Sequence, residues 1–196
     1  MIYPIFRNDI LSKGAIVGCV MLALNMAKSS MFYYGGTSMA LLLLLLFPAT
    51  LAIYILLMFR FTRNYANMII AEREQNPFFA YGEGLLYVTS VSMLAGVVVG
   101  FGEHLFMHYV IGYENFLDAY VKLCQDTFSQ LKLTARDAAL VNEFLSEWQK
   151  VGEPSVFENI IGTVWTYLVM GSLLGFIVAA QTKLNPRSNN NFNNFV

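Results

Sequence analysis

The sequence predicts an all-α, polytopic membrane protein, with four transmembrane helices and an extracytoplasmic amphipathic helical hairpin between the third and fourth. Three observations carry this. Only 13% of the 196 residues are charged and 57% are hydrophobic, against about 25% charged in soluble domains. Four long stretches (residues 14–34, 39–59, 85–111 and 157–181) are apolar enough to span a bilayer. Between the last two lies the one long polar segment, 112–156, where apolar residues recur with helical rhythm.

Residues 1–13 form a short amphipathic, cytoplasmic lead whose cations are Arg7 and Lys13. The first span follows, with Lys28 close enough to its far end to snorkel and Tyr33 and Tyr34 at headgroup level. A cleaved signal peptide ending near Ala27-Lys28-Ser29 is the competing reading, and the return of apolar character at Met31 argues against it. Gly35-Gly36-Thr37-Ser38 is a tight turn into the second span, which carries six consecutive leucines and a central Pro48 that should kink it. Arg60, Arg63 and Arg73 mark an inner loop ending at Asn76-Pro77. At about 40 Å long, the third span exceeds a ~30 Å hydrocarbon core and should tilt or protrude.

In the outer segment, Tyr113, Phe116, Leu117, Tyr120, Val121, Cys124, Phe128 and Leu131 line one face of a helix over residues 113–133. Thr134-Ala-Arg-Asp137 resembles a capping box opening a second helix, with stripe Val141, Phe144, Leu145 and Trp148, stopped by Gly152 and Pro154. The fourth span, through residue 182, leads to an asparagine-rich tail, 183–196, too polar to build a core and expected to be disordered in the cytoplasm.

Orientation follows from the cations. Arg7, Lys13, Arg60, Arg63, Arg73, Lys183 and Arg187 fall on one side. Lys28, Lys122, Lys132, Arg136 and Lys150 fall on the other, four of them in the long segment, which weighs less. That segment holds seven acids against four cations, a charge of −3. Both termini should therefore be cytoplasmic and the hairpin outside. The whole chain carries −1, which gives nucleic acid no footing as a partner. Cys19 and Cys124 fall in different compartments and are read as separate thiols, Cys19 as a small packing residue.

With that layout, the chain resembles a family of small four-span inner-membrane proteins of unknown function found in Bacteroidetes. The resemblance rests on the Lys13-Gly14…Gly18 opening and on the Arg63-to-Phe79 approach to Ala80-Tyr81-Gly82. The paired outer helices, the glycine-bearing last span and the Lys183…Pro186 ending extend it over nearly the whole chain. It implies an inner-membrane home in a Gram-negative bacterium and brings no catalytic residues.

Glu103, His104 and His108 form the one constellation with metal chemistry. Histidines at i and i+4 share a helix face and a carboxylate is near. The glutamate precedes both histidines, which fits no metallopeptidase signature, and the trio should lie at the outer headgroup level, so an interfacial helix end is the preferred reading. Glu83, between two glycines at the inner mouth of the third span, suits the helix dipole better than a coupling role in transport. Small-residue faces recur at Gly14 and Gly18 (beside Ala15, Cys19, Ala23 and Ala27), at Ser92, Gly96 and Gly100, and at Gly171, Gly175 and Ala179. They are read as helix-packing positions within one chain, with homo-oligomer formation as the alternative.

No charge falls mid-span, no phosphate-cradling loop is present and no nucleophile has a base at readable spacing. The expectation is a non-enzymatic scaffold or interaction protein without cofactors. Its partners are the lipid bilayer and a membrane or periplasmic protein, with the outer hairpin either meeting that protein or lying on the lipid surface. A small passive channel or transporter is the alternative, and a metal-binding membrane enzyme comes last.

Overall fold

The structure, a computed structural model, describes residues 4–35, 39–73, 79–130, 135–150 and 152–184, and all regular structure among them is helical. The elements are α1 (Pro4–Gly35), α2 (Ala40–Glu72), α3 (Tyr81–Phe106) continued by a π-helical turn (Met107–Ile111), α4 (Tyr113–Gln130), α5 (Ala135–Gln149) and α6 (Val156–Leu184). Four segments are long and apolar enough to cross a membrane: Phe6–Gly35, Leu42–Glu72, Tyr81–Ile111 and Val156–Thr182. The chain is a polytopic membrane protein built as a helical bundle, with the α4–α5 pair between the third and fourth spans.

α3 is the axis of the bundle. Its most extensive interface is with antiparallel α6 and the next with parallel α1. Small residues permit both. A Cβ on Gly96 would lie 2.9 Å from Val164 Cα, and one on Gly100 would lie 2.9 Å from Ile160 Cα, both backbone atoms of α6. On the α1 side, Cβ atoms on Gly14 and Gly18 would meet Leu94 at 2.7 Å and Val98 at 2.6 Å. Lipid gives no hydrophobic drive for helix association, so close backbone approach and its dispersion contacts have to supply it. Ser92, fully buried, donates to the Val88 carbonyl at 2.7 Å, which leaves its oxygen to accept from the Tyr54 hydroxyl at 2.7 Å. That bond ties α2 to the axis, and Gly171 is the gap in α6 into which Ser92 fits.

Several boundaries differ from the sequence reading. The 1–13 lead is no separate element, because α1 is already helical from Pro4 and packs Phe6 and Ile10 on the core. Asp9 on its first turns accepts from the Tyr87 hydroxyl at 2.5 Å. Most of the inner loop is helix as well. α2 continues through Arg60 and Arg63 to Glu72, since Thr62, Tyr65, Ala66 and Ile69 are buried at helical spacing, Tyr65 stacked on Tyr87 at 4.3 Å. Arg73 then forms a fork with Glu83 (2.5 and 3.2 Å), whose carboxylate also accepts from the Ala80 N–H at 3.0 Å. Thus Glu83 caps α3 as well as facing its dipole. Cys19 is exposed on the bundle surface and does not pack, as are Ala15, Ala23 and Ala27. α6 starts at Val156 and runs to Leu184. Residues 36–38, Asn76-Pro77, Thr134 and 185–196, which carry the expected turn, loop end, capping box and tail, lie outside the described residues.

Candidate functional site

Near its C-terminal end α3 changes character. Gly100 closes on α6 and Gly102 on Leu22 of α1, so the next residue, Glu103, emerges between the two neighbours. Its carboxylate accepts a 2.5 Å hydrogen bond from Asn25 Nδ2 of α1. Lys28, one turn further along α1, acts on it electrostatically and rests its ammonium 4.9 Å from the Phe47 ring. Asn159 of α6 donates to the Gly100 carbonyl at 2.8 Å. Asn25, Glu103 and Asn159, with Glu158, Thr163 and Tyr167, line a pocket of about 360 Å³. Its walls carry carboxylates, amides and hydroxyls, so it can hold water or a small polar solute.

α6 begins beside this pocket with a capping box that the sequence reading passed over. Ser155 Oγ accepts from the Glu158 N–H at 3.3 Å, and the Glu158 carboxylate accepts from the Ser155 N–H at 2.9 Å. The signal was present as Ser155-Val-Phe-Glu158, one residue after Pro154.

The structure does not bring the metal-candidate trio together. Glu103 turns inward to Asn25, whereas His108 Nδ1 lies 3.0 Å from both carboxylate oxygens of Glu153. His104 stacks against His108 at 5.9 Å. Successive residues on a helix point about 100° apart, so Glu103 and His104 serve different neighbours. Among the described residues no group of three or more His, Cys, Asp and Glu side chains is placed to hold a metal ion. The His108–Glu153 pair instead pins the π-helical turn to the segment that enters α6.

The packing candidates sit at helix contacts within the chain. Gly14 and Gly18 face α3; Ser92, Gly96, Gly100, Gly171 and Gly175 lie between α3 and α6.

Gly112, at φ +83°, makes the corner from the bundle into the hairpin, a backbone conformation that suits glycine. α4 is seated on the end of α1 through Phe32, which meets Phe116 at 5.4 Å and Tyr120 at 5.6 Å. Burial pushes the Tyr120 phenol above its ordinary range, and Cys124 beside it adds to the shift. Val121 and Leu145 are buried, 5% and 3% exposed. On α5 the expected stripe is only partly enclosed. Leu140 and Phe144, one turn apart, are 58% and 56% exposed. The side chains of Phe128, Leu131 and Trp148 lie outside the described ones.

No curated protein and no solved structure matches the chain. Residues 13–183 match the family described as protein of unknown function, DUF4199. That match covers the hairpin, the last three spans and the first span from Lys13 onward, and the chain belongs to that family.

Proposed function

We propose that this is a non-enzymatic interaction protein of a bacterial inner membrane, with both termini cytoplasmic, whose α4–α5 hairpin docks a periplasmic or membrane protein. The observation that carries the reading is the Leu140–Phe144 strip, left exposed while Leu145 turns inward. Apolar side chains one turn apart on a rigid helix are the ordinary anchors of helix-mediated recognition. The surrounding charge selects the occupant. At −3 the segment is repelled by anionic lipid and attracts a protein surface with a basic rim around an apolar seat. The cation asymmetry between the two sides supports the orientation.

A photo-crosslinking residue at Phe144 in native membranes tests this. A discrete protein adduct that is lost with Leu140→Asp and weakened by salt is the expected result. Adducts to lipid alone, or a protein adduct indifferent to Leu140→Asp, would overturn the proposal.

The Glu103 pocket favours a second reading, a small transporter, because a carboxylate drawn into a bundle can host a cation or proton. Against it, Val91 and Ala95 are fully buried along the α3 axis inward of that pocket. Solute flux into proteoliposomes decides: a flux that Glu103→Gln abolishes would establish transport, and equal background flux in both would remove it.

A further inference from the structure

Arg60 and Arg63 sit three residues apart on α2 and so share one face. Counted from Leu42, where the apolar span begins, they lie about 27 and 32 Å along the helix. That is the depth at which a ~30 Å hydrocarbon core gives way to headgroups. This end of the bundle is opposite the hairpin, since α6 arrives there at its last turns. Gln181 and Thr182 of α6 face the two arginines across a pocket of about 410 Å³, which Asn64 and Phe59 complete.

Charge in this pocket is one-sided. No acid lines it. Arg73 is paired with Glu83 and Lys13 lies 4.0 Å from Asp9, but neither Arg60 nor Arg63 has an ion-pair partner among the described residues. Arg63 Nη2 is shut off from solvent with no hydrogen-bond acceptor among the described residues, a demand that a small turn of the guanidinium toward an anion would meet. The Thr182 hydroxyl already donates to the Val178 carbonyl, so the neutral donors left to an anion are the Asn64 and Gln181 amides. On its bilayer side the pocket meets Leu56, 67% exposed, and beyond it the lipid-facing leucines of α2. A forked cationic site at headgroup depth, with an apolar track leading away from it, matches a phosphate that carries acyl chains.

We propose that the Arg60–Arg63 pocket binds the phosphate of an anionic phospholipid headgroup in the leaflet opposite the hairpin. Two adjacent guanidiniums favour a headgroup of net negative charge and repel the choline of a zwitterionic one. The shared chemistry is phosphate, and the experiment separates lipid from free ion.

The full-length protein in neutral detergent is mixed with phosphatidylglycerol, phosphatidylcholine or inorganic phosphate, and bound species are counted by native mass spectrometry beside a melting curve. Phosphatidylglycerol should bind and raise Tm, while the other two at equal concentration should not. Arg60→Gln with Arg63→Gln should cut phosphatidylglycerol binding about tenfold or more. Arg7→Gln, which removes an exposed cation on the first turn of α1 that does not line the pocket, should leave it unchanged. Should the double variant not fold, Arg60→Gln alone decides, because that side chain is exposed and folding does not rest on it. Equal phosphatidylglycerol binding by wild type and variant would overturn the site, and an equal Tm rise with inorganic phosphate would overturn its assignment to lipid.

Discussion

α2 and α3 are both long apolar spans, and the more apolar of the two is the less buried. α2 has the highest hydropathy of the four spans, yet 22% of its apolar stretch is buried against 50% for α3. Leu44, Leu45 and Phe47 of α2 are 70%, 60% and 63% exposed, while Val88, Val91, Ser92 and Ala95 of α3 are fully enclosed. In water the order would be reversed. In a bilayer, lipid tails solvate leucine as well as a protein core does, so apolarity decides only that a helix enters the membrane. Which helix becomes the axis is decided by small residues that admit a neighbour's backbone.

The sharpest way to break this comparison is Gly100→Ala. Its Cβ would stand 2.9 Å from Ile160 Cα and 3.0 Å from Thr163 Cβ, and the backbone of α6 has no cheap way to retreat. Overpacking of this kind costs about 1–3 kcal/mol, more than the roughly 1 kcal/mol alanine returns in helix propensity. Unfolding in mixed micelles should show a net loss of stability, and an unchanged midpoint would mean that α6 can draw back from Gly100 at no cost.

Gly162→Ala is the matched control on α6. No neighbour among the described residues lies within 4 Å of its Cβ position, so only propensity acts and stability should rise by up to ~1 kcal/mol. A loss comparable to Gly100→Ala would show that glycine content, not contact, sets the effect. Tyr54→Phe removes the one hydrogen bond from α2 to Ser92, and because Ser92 still donates to Val88 no donor is orphaned. The cost should be close to the ~0.6 kcal/mol average for interhelical bonds in membranes. Smallest of all should be Leu44→Ala, within about 0.5 kcal/mol of wild type in the same titration. A loss of several kcal/mol there would mean that α2 has a protein partner on its leucine face.

The spans are legible in the sequence because a bilayer imposes a length and an apolarity on any segment that crosses it. Boundaries are less so. Tyr65, Ala66 and Ile69 extend α2 well past the apolar stretch, and their pattern reads as a helix only once Phe6, Phe79 and Tyr87 are known to lie against it. Glu103 is the plainest case at the candidate site. Its place in the chain puts it near the C-terminal end of α3, but nothing in its own surroundings says that Asn25, 78 positions earlier, will draw it into the bundle.

Composition and periodicity alone settle that the chain enters the membrane four times and carries two amphipathic helices between the third and fourth crossings, because those demands act on each segment locally. Pairings across the bundle came only with the fold: Glu103 with Asn25, His108 with Glu153 and Arg60–Arg63 with the end of α6. Each depends on the rotation and offset of one helix against another, which are set by backbone contacts at glycines whose neighbours no local pattern names.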